Sequence, residues 1–144
     1  MFMGTHYHNI DSKGRVIIPA KIREQLGEHF IITRGFDQSI SVYSMEQWDI
    51  IMENLAQLPT NQKSARRIKR MFLSFAEEVE PDKQGKVIIP PDLRTLAGLE
   101  KEVVIVGQEN HIEIWSKANW VDYLADEEEA SFEEAAESIE GFCF

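Results

Sequence analysis

The chain has 144 residues, a formal net charge of −10 and one cysteine. No apolar run approaches the ~20 residues that cross a bilayer, and the opening MFMGTHYH lacks the basic-then-apolar plan of a signal peptide. A lone Cys143 cannot build a disulfide framework, so a protein of a reducing cytoplasm is expected.

The charge is unevenly spread. Asp126–Glu140 holds eight acids and no base, which leaves Met1–Ala125 at −2, with 15 bases against 17 acids. The bases are bunched: Lys13, Arg15, Lys21 and Arg23 near the start, then Lys63, Arg66, Arg67, Lys69 and Arg70 at mid-chain. A nearly neutral body with local basic surfaces can still bind an anionic partner.

In chain order, Met3 to Ile10 reads as a first strand. Asp11-Ser12-Lys13-Gly14 has turn chemistry, because Asp accepts hydrogen bonds from the backbone ahead and Gly tolerates the exit geometry. The β-branched run Arg15 to Ile18 is then a strand, so two strands are expected to flank a tight loop. Pro19 suits a helix start, and Gly27 stops that helix after Leu26. His29 to Arg34 and Ser39 to Tyr43 are two more strands around Gly35-Phe36-Asp37-Gln38. Ser44 with Gln47 has the spacing of a capping box. It opens a helix whose Met45, Trp48, Met52 and Leu55 should form a buried stripe.

Leu58-Pro59-Thr60-Asn61 breaks that helix. The next one runs to about Phe75, with Ala65, Ile68, Met71, Phe72 and Phe75 on one face and Lys63, Arg66, Arg67 and Arg70 on the other. A strand, the Asp82 turn, a strand from Lys86 to Ile89 and a Pro90-Pro91 helix ending at Gly98 follow. Strands at Glu102 to Val106 and His111 to Trp115 lead to a helix capped by Ser116. Phe132, Ala135, Ala136 and Ile139 give the acidic remainder a weakly amphipathic pattern.

The second half restates the first. DSKGRVIIP (Asp11 to Pro19) returns as DKQGKVIIP (Asp82 to Pro90), 71 residues later. Ile22-Arg23 answers to Leu93-Arg94 and Gly27 to Gly98. After a one-residue insertion the offset is 72, matching Gly35 to Gly107, Ile40 to Ile112, Val42 to Ile114 and Trp48 to Trp120. One module is used twice. Each copy of about 45 to 50 residues is near the lower limit for independent folding, so a shared core is expected. The organisation expected is repeat one at 5–47, linking helices at 48–75, repeat two at 76–119, and a C-terminal helix with acidic tail at 120–144.

The sharpest constellation is Asp-x-x-x-Arg across a tight turn. Asp11 can pair with Arg15 or fix the turn, and either would aim a long cation. A guanidinium so held can fork onto phosphate or the O6/N7 edge of guanine. The plainer reading is an exposed hairpin with a surface salt bridge worth ~0–1 kcal/mol. Recurrence at Asp82 favours function. The mid-chain basic face is either simply solvated or a second contact surface for phosphate or a neighbouring acidic tail. His6 and His8 share a strand face, but a transition metal wants three or four converging ligands, so no metal is expected. No nucleophile constellation, P-loop or dinucleotide fingerprint occurs, so neither catalysis nor a cofactor is expected. Trp48, Trp115 and Trp120 read as core.

The doubled order of strand, Asp-x-x-x-Arg/Lys, Val-Ile-Ile-Pro, helix and Gly resembles the AbrB-type DNA-binding domain in tandem. Met-Phe-Met-Gly at the start, Lys13-Gly14-Arg15, Asp82-Lys83-Gln84-Gly85 and Ile114-Trp115-Ser116 are similar to the MraZ family of bacterial transcriptional regulators, over essentially the whole chain. That resemblance implies a mixed α/β (α+β) fold in which two AbrB-like repeats share a swapped-hairpin β-barrel core with peripheral helices. It further implies closed homo-oligomeric rings that bind short G-containing direct repeats at the family's own promoter, in the division and cell-wall gene cluster. The protein would then be nucleoid-associated.

The DNA-binding residues expected are Lys13, Arg15, Lys83 and Lys86, with Asp11, Gly14, Asp82 and Gly85 positioning the loops. Arg23, Arg94, Arg66, Arg67 and Arg70 are expected as further basic surface. Position 86 departs from the family, which usually has Arg there; Lys keeps the charge but loses the planar fork. The first copy should therefore read bases and the second hold backbone. The rivals are an antitoxin-like module acting on a partner protein, and an enzyme on a related small barrel. The latter would need a nucleophile or a Gly-Ser pair, and no Gly-Ser dipeptide is present.

Overall fold

The computed structural model describes residues 1–144. Its first half contains β1 (Thr5–Asn9), β2 (Arg15–Ile17), α1 (Ala20–Leu26), β3 (Phe30–Arg34), β4 (Ile40–Ser44), α2 (Met45–Ala56) and α3 (Lys63–Leu73). The second half repeats that order with β5 (Glu77–Val79), β6 (Lys86–Ile88), α4 (Pro91–Ala97), β7 (Glu102–Gly107), β8 (Ile112–Ser116) and α5 (Lys117–Ala125), followed by α6 (Phe132–Ser138).

Local chemistry sets most of these boundaries. Pro19 and Pro90 stand at the N-caps of α1 and α4, where a missing N–H costs nothing. The Ser44 hydroxyl accepts from the Gln47 N–H at 3.2 Å, and Ser116 accepts from Asn119 N–H at 3.0 Å. Each satisfies one of the free donors at a helix start.

Strand pairing crosses between the halves. A six-stranded antiparallel sheet runs β1-β7-β8-β4-β3-β5, and β2 pairs with β6 in a separate two-stranded ribbon. Only the β3–β4 and β7–β8 hairpins lie within one repeat; the other four ladders join one repeat to the other. β1 and β2 flank the tight loop as expected, but they are not each other's ladder partners. The Asp11 N–H donates to the Arg15 carbonyl at 2.9 Å and closes the loop, but beyond it β1 pairs with β7 and β2 with β6. No ladder joins β1 to β5, so the sheet is open.

The core lies between the sheet and the ribbon. Val16, Ile18, Ile22 and Leu26 from one half meet Val87, Ile89, Leu93 and Ala97 from the other, over the inward residues of β3, β4, β7 and β8. Those eight residues are four matched pairs, so the duplicated sequence builds one core from both copies. On the outer face Trp115 is buried with Val104 and Val106, and Trp120 packs against them half-buried.

Two packing expectations need correction, the buried stripe of α2 and Trp48 as core. Met45, Trp48, Met52 and Leu55 form a half-buried stripe, and no residue of α2 is fully buried. On α3 only Ala65 is buried, and Ile68 is 53% exposed. A single helix layer on the outer face leaves these flanks uncovered within one chain. Trp48 likewise stacks on Phe72 at 5.5 Å without being enclosed. The tail helix α6 has no buried residue, and Phe132 stacks on Phe144 at 5.6 Å.

Candidate nucleic-acid interface

Each repeat builds the same loop by the same means. Asp11 Oδ1 accepts from the Lys13 and Arg15 backbone N–H groups, both at 2.9 Å. Asp82 Oδ1 accepts from Gln84 and Lys86 N–H, also at 2.9 Å. Gly14 and Gly85 then donate back to the Asp11 and Asp82 carbonyls at 3.0 and 2.9 Å. Both glycines adopt left-handed φ, 80° and 81°, where a Cβ would clash with the backbone.

These bonds favour the charged carboxylates. Asp11 is held below the usual carboxylate range mainly by the Arg15 N–H, helped by the Arg15 side chain. Asp82 is lowered mainly by the Lys86 N–H, then by Gln84 N–H and the nearby Arg15 and Lys86 charges.

The two loops differ at the cation. Arg15 Nε donates to Asp11 Oδ2 at 2.7 Å, which tethers one edge of the guanidinium and leaves its Nη groups without a hydrogen-bond partner in the chain. Asp82 makes no ion pair with Lys86, so that ammonium is aimed only by its strand. Lys13 and Lys83 are both exposed at the loop tips. They are not equivalents, since Lys13 aligns with Gln84 and Lys83 with Ser12.

The loops are locked side by side. Ile18 N–H donates to the Gly85 carbonyl at 3.0 Å, and Ile89 N–H to the Gly14 carbonyl at 2.8 Å. Beneath them sit Arg94 and Arg23, each under the loop of the opposite repeat. A Cβ on Gly14 would lie 2.6 Å from Arg94 Cζ, and one on Gly85 the same 2.6 Å from Arg23 Cζ. Arg23 Nε also donates to the Ile18 carbonyl at 2.8 Å, whereas Arg94 Nε is buried without a partner. Expected as basic surface, these two arginines are half-buried braces below the loops. Sequence alone missed that role, though the matched spacing of Gly14/Gly85 and Arg23/Arg94 was its signal.

The antiparallel ribbon aligns Arg15 with Ile88, Val16 with Val87, and Ile17 with Lys86. Val16 and Val87 point into the core. Arg15, Ile17, Lys86 and Ile88 therefore share the outward face. The helix cations do not join them. Thr33, which alternates away from the core residue Ile32, donates its hydroxyl to the Phe72 carbonyl at 2.7 Å. That places α3, with Arg66, Arg67 and Arg70, on the sheet face opposite the ribbon. Arg66 is further engaged by the Thr60 carbonyl at 3.1 Å. His6 and His8 gather no further ligands, and no group of three or more His, Cys, Asp or Glu converges anywhere.

A family model described as "MraZ protein, putative antitoxin-like" matches residues 1–71 and again residues 72–143. The chain belongs to the MraZ family. It is 49% identical over 142 residues to the "Transcriptional regulator MraZ" of Natranaerobius thermophilus, covering 99% of each chain. The proteins of the same name from Caldanaerobacter subterraneus subsp. tengcongensis and Halothermothrix orenii are 49% and 51% identical, over 99% and 97% of each chain. The two MraZ matches meet within α3, the helix that carries the chain from one half of the shared core to the other.

Proposed function

We propose that this chain is a transcriptional regulator that grips duplex DNA with its β2–β6 ribbon and the two loops bordering it. The observation that carries this is the paired Asp-x-x-x-cation loop, built twice with matching hydrogen bonds and locked onto a single face. On that face Arg15 is pre-aimed by Asp11 and suits the planar acceptor edge of guanine. Lys86, untethered, suits phosphate. Lys13 and Lys83 at the tips add backbone contacts. Asp11, Gly14, Asp82 and Gly85 hold the loops in shape.

The family resemblance supports a swapped-hairpin barrel formed by ribbon and sheet together, and ring-shaped homo-oligomers resident on the nucleoid. Their targets are short direct repeats at the protein's own promoter in the division and cell-wall gene cluster. A ring presenting several ribbons to evenly spaced sites gains avidity of ~10²–10⁴ over a single contact.

The test is binding to a fragment carrying tandem sites against one carrying a single site, at two ionic strengths. Tandem sites should bind far more tightly, and affinity should fall steeply with salt, with a log–log slope of about −0.9 per phosphate contacted. Arg15→Ala should flatten the preference for cognate over scrambled DNA, whereas Lys86→Ala should weaken both alike. A flat salt response, or unchanged promoter binding after both loops are neutralised, refutes the proposal. A co-purifying protein partner with no DNA shift would replace it with the antitoxin-like reading.

A further inference from the structure

Two isoleucines share the ribbon's outward face with the cations. Ile17 is 40% exposed and Ile88 is 59% exposed. An isolated exposed apolar residue needs no explanation, and a β-branched polar residue such as Thr would serve a strand equally well here. These two are not isolated. They occupy the same place in both repeats, 71 residues apart, and the register sets each opposite a cation of the other repeat: Ile88 across from Arg15, Ile17 across from Lys86. The face is a two-by-two checkerboard of cation and branched alkyl.

That pattern restricts what can cover it. Directly opposed side chains on an antiparallel pair stand ~4.5–5.5 Å apart, so no partner can reach an isoleucine without also meeting a cation. An apolar protein surface seated there would strand the unpaired Lys86 ammonium away from water and strip solvent from the Asp11–Arg15 pair, and burying an unpaired charge is costly. The major groove has the complementary composition. It admits a two-stranded ribbon and offers guanine O6/N7 acceptors beside the C5-methyl of thymine, with phosphates at its rim. Residues two apart on a strand are ~6.6–6.8 Å apart, about two base steps at ~3.4 Å each.

We infer that Ile17 and Ile88 are specificity residues that recognise thymine through its C5-methyl, at positions neighbouring the guanine or phosphate engaged by Arg15 and Lys86. This rests on the DNA-binding reading above and adds to it a base and a chemical group.

The test uses the full-length protein and duplexes that it enriches itself from a random pool. The enriched duplex is resynthesised with deoxyuridine at one thymine at a time, which deletes the methyl and leaves pairing intact. Parent and Ile17→Ala/Ile88→Ala proteins are then compared at fixed salt, with denaturation midpoint and sedimentation measured for both. At one or more thymines the parent should bind about 4-fold more weakly after the swap, the factor equivalent to ~0.8 kcal/mol for one buried carbon group. The double variant should bind thymine and deoxyuridine duplexes alike, with parental folding, assembly and salt slope.

Parent binding that ignores every deoxyuridine, or a variant that keeps the full penalty, overturns the inference while steep salt dependence leaves DNA binding standing. A variant that changes oligomeric state with no methyl effect assigns the face to another copy of the chain and overturns it too. A pool that yields no bound duplex sinks both this inference and the proposed function.

Discussion

The crossed braces make the sharpest stability prediction. Gly14→Ala imposes two separable costs. A left-handed backbone costs an L-residue with a Cβ ~1–2 kcal/mol, and Gly14 sits at φ 80°. The new Cβ would also lie 2.6 Å from Arg94 Cζ, inside the ~3.5–4.0 Å of ordinary carbon contact. The guanidinium is the far end of a flexible side chain and can swing aside, so this second cost falls at the low end of the overpacking range, about 1 kcal/mol.

The sum, ~2–3 kcal/mol, is still a sizeable part of the ~5–15 kcal/mol that holds a domain together. In an Arg94→Ala background the clash disappears and the backbone cost of ~1–2 kcal/mol remains. Urea denaturation of parent, both single variants and the double variant, at one fixed protein concentration, gives the coupling. It should reach about 1 kcal/mol, and Gly14→Ala should be additive with Arg23→Ala, which braces the other loop. Equal penalties for Gly14→Ala with and without Arg94, within ~0.5 kcal/mol, would refute the brace.

Burial is the main cause that pushes the Glu113 carboxyl up, against weaker lowering by hydrogen bonds from Trp115 and Ser39. The folded state therefore disfavours the charged form, and stability falls as pH rises from the unfolded value of ~4.3 through the raised folded one. Glu113→Gln should melt higher than the parent at pH 7, with the gap closing below that window in a series of thermal melts. Asp11 and Asp82 have the opposite sign, because their folded values are depressed. Their contribution is complete above ~3.9 and is lost as pH falls through the folded values. Asp82→Ala should destabilise by a constant amount from pH 8 to 5, and a difference that vanished near neutrality would contradict the loop geometry. Residues 1–71 expressed alone should show no cooperative unfolding by circular dichroism, since four of the six ladders need the other half.

Most of the local architecture was legible in sequence because its causes are a few residues apart. Ser44 and Ser116 cap helices through N–H groups three residues on. Asp11 and Asp82 fold their turns through N–H groups two and four residues on. Where a neighbour outside the segment decides, reading failed. Ile68 satisfies the helical wheel yet is 53% exposed, because nothing within the chain covers that flank of α3. Arg23 and Arg94 look like surface bases until the opposite loop is placed above them.

That one module is used twice, that each copy carries an Asp-x-x-x-cation turn, and that the first turn ends in Arg and the second in Lys can all be read from residue order. Those are properties of short stretches, written in residue type and spacing. Tertiary structure alone decided that β2 pairs with β6, that each arginine braces the other repeat's glycine, and that Arg15 and Lys86 face outward together with Ile17 and Ile88. A strand offers the same backbone donors and acceptors to any partner. Its mate is chosen by which arrangement buries both copies' apolar residues in one core, and no single stretch holds that information.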